Sequence, residues 1–253
     1  MIVRSHQAIC PFRLHRPATI DQALAAAAGA EGRAVYMAGG IDLLARLRGG
    51  ERVTDLVFLP GIAELRRIAR VNGLLRVGAC VTHHQFESDP TVGAVLPEAV
   101  PIWRDLGNVR VRLAGTLGGN LLAGRPHYDV APLLLALGAR PVFAAGGGLL
   151  TAVEIPLPGE RRLGFDRSLK PVVSVAVAVE RAPTGELSGR AAVGCAYPRA
   201  VVEPLDLGQP IERAAQTVAR ALPEPLSDAV ASAGYRRRMI GVLIRRLLQR
   251  LLA

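Results

Sequence analysis

The sequence of 253 residues is poor in several things, and each scarcity closes a class of function. Only three cysteines occur, Cys10, Cys80 and Cys195, far apart and without a CxxC pair. That spacing argues against a disulfide framework and against a zinc or iron–sulfur site held by this chain alone. The five histidines (His6, His15, His83, His84 and His127) form no ligand pattern. His83 and His84 are neighbours, and on a strand they would point to opposite faces, so an ordinary loop or surface role is expected for both. No stretch of roughly 18 uninterrupted apolar residues is present, so no transmembrane helix is expected. The opening MIVRSHQAICPF lacks a long apolar core and a small-residue cleavage site, which makes a cytoplasmic chain the expectation. Aromatic residues are 4% of the total, too few for a base-stacking platform. Lysine is nearly absent: Lys170 is the only one, and the net charge of +10 rests on arginine. With the richness in alanine, this skew reads as compositional bias, and no nucleic-acid partner is expected.

What is present is a chain half hydrophobic, long enough for one large or two modest domains. PATIDQALAAAAG reads as a helix capped by Thr19 and stopped by Gly29. AVYMAGG reads as a short buried strand ending in a glycine turn, and IDLLARLRGG as the following helix, with Leu43, Leu44 and Leu47 on one face. TDLVFLPG is a further apolar strand. Asn72–Gly73 predicts a hairpin. The stretch from Thr82 to Gly107 reads as mostly helical. NVRVRLA alternates and predicts a strand ending at a second glycine pair. DVAPLLLALGARPVFAA predicts a helix, a stop at Gly138 and a strand, then a loop at 146–148. PVVSVAVAVERAPTGELSGRAAVGCAYPRAV predicts two long antiparallel strands joined near Pro183–Gly185. The last helix, YRRRMIGVLIRRLLQRLLA, places Met239, Val242, Leu243, Leu247 and Leu251 on one stripe, with Arg237, Arg245, Arg246 and Arg250 elsewhere. That pattern predicts a core-facing helix with a solvated basic side.

Two glycine pairs, in MAGGIDLL and GTLGGNLLAG, each stand between apolar runs. Most such pairs are plain turns. A strand, a glycine pair and a helix start together also let a backbone approach a ligand closely and present N–H groups to an anion. Thr116 and Asn120 add side chains able to bond phosphate or ribose oxygens. Asp129 could accept from a ribose hydroxyl or cap the next helix. Neither pair is a P-loop or a GxGxxG fingerprint. Two of them in one chain suit a ligand with two phosphates, such as FAD.

Four stretches resemble the FAD-binding medium subunit of the molybdenum hydroxylases, the family of carbon monoxide dehydrogenase and xanthine dehydrogenase. They are FRLHRPATIDQAL, AGGIDLLARLRGG, RLAGTLGGNLLAGRPHYDVAPLLLALGA and YRRRMIGVLIRR, in the family's order along nearly the whole chain. The resemblance implies an α+β, two-subdomain FAD fold of the vanillyl-alcohol-oxidase and carbon-monoxide-dehydrogenase type over residues 1–166, split near residue 60. A small C-terminal α+β domain over 167–253, with a three-stranded antiparallel sheet and helices, would follow. It implies that Ala38, Gly39, Gly40, Ile41, Asp42 and Leu43 wrap the pyrophosphate. Thr116, Gly118, Gly119 and Asn120 would hold the flavin side and the second phosphate, and Asp129 a ribose or ribityl hydroxyl. Molybdopterin and [2Fe–2S] clusters would sit on two partner subunits. Electrons would pass from those clusters to FAD and on to NAD, a quinone or oxygen, with no catalytic acid or base and no metal site on this chain.

Three departures stand out. Ile41 replaces a Ser, Thr or His of the family pattern. A segment normally found between ARPVFAAGGG and LLTAVEIPLP is missing. Lys170 stands where an aspartate is common. They leave open an alternative, a flavin-poor structural subunit or paralogue with a degenerate FAD site.

Overall fold

The computed structural model describes residues 9–253 apart from Pro158 and Pro183. His6, most of the MIVRSHQAICPF opening and the first residue of the expected turn at 183–185 therefore lie outside the described residues.

The chain first builds a parallel three-stranded sheet. Strand β1 (Arg13–His15) leads into helix α1 (Ile20–Ala28), β2 (Ala34–Met37), helix α2 (Ile41–Arg48) and β3 (Asp55–Phe58), with strand order β1-β3-β2. Thr19 caps α1 by accepting from the Gln22 N–H, and Gly29 closes it, as the sequence predicts. Buried Asp55 joins β1 to β3, with a carboxylate oxygen 2.7 Å from His15 Nε2. The His15 bond, more than any other contact, holds the Asp55 carboxyl below its ordinary range.

A second sheet holds the middle of the chain. Strands β4 (Ile68–Val71) and β5 (Leu74–Gly78) form the expected hairpin, with Asn72 and Gly73 both at positive φ, 49° and 76°. Helices α3 (His83–Ser88), α4 (Pro90–Val95), α5 (Ala99–Arg104), α6 (Val109–Ala114), α7 (Leu117–Ala123) and α8 (Val130–Ala136) follow, then β6 (Arg140–Phe143) and β7 (Leu150–Pro156). The strand order is β4-β5-β7-β6, all neighbours antiparallel. Gly146, Gly147 and Gly148, all at positive φ, turn β6 directly into β7. NVRVRLA is the helix α6 and not the expected strand. Asn108 caps it by accepting from the Val111 N–H, and none of its residues is buried, so its alternation matches no two-faced sheet position.

The last sheet has four strands, β8 (Glu160–Arg167), β9 (Ser174–Arg181), β10 (Leu187–Gly194) and β11 (Val201–Leu205), in the order β11-β10-β9-β8. The expected antiparallel sheet is there. It has four strands rather than three because Glu160–Arg167 pairs along β9 over its full length. Helices α9 (Ile211–Ala221) and α10 (Ala233–Leu252) cover one face. The run SVAVAV explains how both faces are buried. Val175, Val177 and Val179 pack toward α9 and α10, while Ala176 and Ala178 join the core that contains α8. Alanine on that side lets α8 lie close to the sheet.

Helix α10 buries Leu243, Leu247 and Leu251 as expected, together with Ile240, Ile244 and Leu248; Met239 and Val242 are only half-buried. Arg236, in the basic run, is itself buried. Its guanidinium donates to the carbonyls of Val172 (2.8 Å) and Cys195 (3.1 Å) and to Asp228 (2.6 Å).

Candidate functional site

A cavity of about 540 Å³, within the usual range for small-molecule sites, lies among the described residues. All eleven residues singled out in the sequence line it: Ala38, Gly39, Gly40, Ile41, Asp42, Leu43, Thr116, Gly118, Gly119, Asn120 and Asp129.

The first glycine pair behaves as a ligand turn should. Strand β2 ends at Met37, and Gly40 takes φ 76° to start α2. Gly40 has no side chain to cap that helix, so the first-turn N–H groups lack a side-chain partner. Gly39 is required for a second reason. A Cβ there would lie 1.8 Å from the Ala114 carbonyl oxygen, because the turn runs against the end of α6. Asp42, in the first turn of α2, accepts from Arg125 Nε at 2.9 Å and lies 3.7 Å from Arg46 Nη1. The turn is thereby tied to the segment that leads to Asp129.

The second pair behaves differently from the expectation. It is not a turn: Gly118 and Gly119 sit inside the first turn of α7, and Thr116 is the cap. The amide of Gly118 donates to the Ala79 carbonyl at 2.9 Å, that of Gly119 to Thr116 Oγ1 at 3.1 Å, and that of Asn120 to the Thr116 carbonyl at 2.9 Å. These N–H groups are used inside the protein and form no anion concavity. The glycines serve close packing. A Cβ on Gly118 would stand 2.8 Å from both the Cβ and the carbonyl oxygen of Ala79. What α7 offers a ligand is the Asn120 side chain, whose Oδ1 is buried without a partner among the described residues.

Asp129 precedes α8 and does not cap it. One carboxylate oxygen accepts from Arg167 Nη1 at 3.2 Å; the other is buried, with the Ser174 side chain close enough to favour the charged carboxylate but no well-formed hydrogen bond among the described residues. Burial pushes its carboxyl above the ordinary range. Arg167, at the end of β8, also lines the cavity, so the C-terminal sheet contributes to the site.

Several lining residues escaped the sequence reading. His127 and Tyr128 lie edge to face at 5.0 Å, and Tyr36 lines the cavity as well. His83 is buried on a helix, not placed on a strand or loop surface, and it lines the cavity. Cys80 lines it too, but burial raises its thiol to about 12, which keeps it protonated and inert. Arg167 carried one faint signal, a basic residue closing a strand. His83 carried none beyond its place beside a helix cap. Ile41 is 40% exposed and brings no hydrogen-bonding group to the turn. Lys170 is exposed and is not among the lining residues.

The residues present fit a large polar ligand with an apolar body. The fit rests on an uncapped helix start, buried orphan oxygens on Asn120 and Asp129, and two glycines whose side chains would collide with backbone or neighbour. Among the described residues no group of three or more His, Cys, Asp or Glu could hold a metal ion, and no helix is long and apolar enough to cross a membrane.

Known proteins resemble this chain along nearly its whole length. Residues 10–158 match the family described as the FAD binding domain in molybdopterin dehydrogenase. The carbon monoxide dehydrogenase medium chain of Afipia carboxidovorans is 28% identical, over 94% of this chain and 96% of that one. Among solved structures, quinoline 2-oxidoreductase from Pseudomonas putida 86 superposes with a TM-score of 0.82 at 25% identity, covering 96% of this chain and 98% of that one. Carbon monoxide dehydrogenase from Hydrogenophaga pseudoflava gives 0.84 at 22% identity, with 97% and 98% covered. This chain belongs to the FAD-binding medium subunits of the molybdenum hydroxylase family. It is an oxidoreductase subunit that binds FAD.

Proposed function

We propose that this chain carries electrons within a heteromeric molybdenum-containing dehydrogenase or hydroxylase. Molybdopterin and [2Fe–2S] clusters belong to a large and a small partner subunit. This chain takes electrons from the clusters through FAD and hands them to NAD, a quinone or oxygen. The assignment to a complex is drawn from relatives such as the carbon monoxide dehydrogenase medium chain, which this chain matches nearly end to end. Bound FAD supplies the redox chemistry; the chain positions it and controls its surroundings.

The turn 38–43 and the uncapped start of α2 receive the pyrophosphate through backbone N–H groups and the helix dipole. Thr116, Gly118 and Gly119 set the close approach of α7, and Asn120 hydrogen-bonds the flavin side. Asp129, oriented by Arg167, accepts from a ribose or ribityl hydroxyl. Leu106, Val111 and Leu149 line the same cavity and would supply apolar wall against the bound cofactor. No residue is assigned as a catalytic acid or base.

The observation that carries this reading is the buried, unpartnered Oδ1 of Asn120 in a cavity that also gathers Asp129 and the 38–43 turn. The purified chain should show flavin absorption with FAD released on denaturation, and Asn120→Ala should lower FAD occupancy. A folded Asn120→Ala chain with unchanged FAD content refutes the role given to α7.

One second reading has support. The internally used amides of α7, the side chain of Ile41 and the tight Gly146–Gly148 connection all reduce what the site offers FAD. They favour a flavin-poor structural subunit. A folded wild-type chain that is colourless and takes up no added FAD selects this alternative.

A further inference from the structure

His83 is the first residue of α3, and its side chain is 2% exposed. Its backbone is fixed from two sides. Thr82 and Gln85 form a reciprocal cap at the helix start, and the His83 N–H donates to the Gly115 carbonyl at 3.0 Å. The ring is seated against Gly115, where a Cβ would come within 3.2 Å of Cδ2. The side chain is thus held in place by a capped helix and a glycine backbone.

A histidine this buried ordinarily bonds through its ring nitrogens. This one does not: Nδ1 is buried with no partner among the described residues. Glu87, one helical turn on, makes no hydrogen bond to it, although its Oε2 is likewise buried without a hydrogen-bond partner among the described residues. Its carboxylate lies 3.0 Å from His84 Nδ1 and 3.4 Å from Arg112 Nε. An orphan ring nitrogen with no structural partner, on a residue that lines the ligand cavity, matches the orphan oxygens of Asn120 and Asp129 in the same cavity.

We propose that His83 is a ligand-contacting residue of this cavity, its imidazole hydrogen-bonding a polar atom of the bound flavin nucleotide. The proposal rests on the FAD reading above. Burial lowers the ring to a pKa of about 4, so it is neutral at neutral pH and offers one donor and one acceptor. It can satisfy either a carbonyl oxygen or an N–H of the ligand without bringing a charge.

The test uses the full chain, stripped of flavin and titrated with FAD, with folding followed by circular dichroism. His83→Leu should weaken FAD binding about tenfold, as expected when a buried ligand group loses its hydrogen-bond partner. It should also shift the visible flavin bands and the midpoint potential. His83→Gln, which keeps a hydrogen-bonding amide, should recover most of the affinity. If His83→Leu does not fold, His83→Phe takes its place, a ring of similar size without nitrogens. A folded Leu or Phe variant with wild-type affinity, bands and potential overturns the proposal and leaves the FAD reading intact. Wild-type chain that folds but binds no FAD overturns both, and that failure shows before any variant is made.

Discussion

Replacing Gly39 by alanine adds one methyl group at the tightest point of the site. The added carbon would sit 1.8 Å from the Ala114 carbonyl oxygen and 2.8 Å from its carbonyl carbon, where ordinary contacts begin near 3.4 Å. Both obstacles are backbone, so relief requires the 38–40 turn and the end of α6 to part by well over an ångström. Inserting methyl groups into packed sites typically costs about 1–3 kcal/mol, and backbone obstacles place this one at about 3 kcal/mol. For a chain of this size that corresponds to a melting point lower by roughly 6–12 °C. Gly40 is the instructive control. Its φ of 76° strains any L side chain, but a Cβ there meets only flexible side chains, Leu44 at 3.2 Å and Met37 at 3.5 Å. Gly40→Ala should therefore cost about 1 kcal/mol, the penalty of the backbone conformation alone. The assay is a thermal melt of both flavin-free variants, followed by FAD titration. Gly39→Ala should be the less stable and lose FAD affinity the more. If it melts with wild type, or above Gly40→Ala, the close approach of the two loops is refuted.

Acid should destabilise the chain through His83. Its pKa is lowered from 6.5 to about 4, so between these values the unfolded chain takes up a proton that the folded chain refuses. Stability from this group is complete above pH 6.5 and falls as pH drops toward 4, by about 3 kcal/mol at most. Denaturant midpoints of His83→Gln should fall less steeply than wild type across that window; parallel curves would exclude the effect. Arg236→Met should cost about 2–4 kcal/mol in urea unfolding, because it strips the Val172 and Cys195 carbonyls of a charged donor inside the core. A loss below about 1 kcal/mol would show that water replaces the guanidinium there.

The sequence carried the periodic elements well, for a physical reason. Thr19 and Gly29 bound α1 by local bonds, and Asn72–Gly73 encodes its turn in its own backbone preference. SVAVAV was readable as a strand, since alternation survives when both faces are buried by side chains of different size. Where the sequence misled, a helix cap or a non-local contact decided. NVRVRLA alternates in charge, yet the Asn108 cap and an exposed position make it a helix. GTLGGN looks like MAGGID on paper, but the Ala79 carbonyl and the Thr116 cap claim its amides, and the Ala79 contact is nearly forty residues away in sequence. The two glycine pairs thus do opposite things. Gly40 leaves a helix start free, whereas Gly118 lets α7 dock so closely that its own backbone is closed to a ligand.

That division of labour bears on how the site is built. If α7 gives only the Asn120 side chain, recognition at that end rests on side chains held from three directions: Asn120 on α7, Asp129 ahead of α8, and His83 on α3. The Asp129 segment depends on distant support. Asp129 leans on Arg167 of the last sheet, and the neighbouring Pro126 carbonyl accepts from the Cys195 amide at the end of β10, at 2.9 Å. Cys195 holds a positive φ of 61°, unusual for a residue other than glycine, and the buried guanidinium of Arg236 bonds its carbonyl. The C-terminal sheet is therefore part of the cavity's frame. Damage at Arg236, though remote from the lining residues, should pass through Cys195 and Pro126 to the loop that carries Asp129. Arg236→Met should then weaken FAD binding in chain that remains folded, and equal affinity would show that the loop holds its place without the sheet.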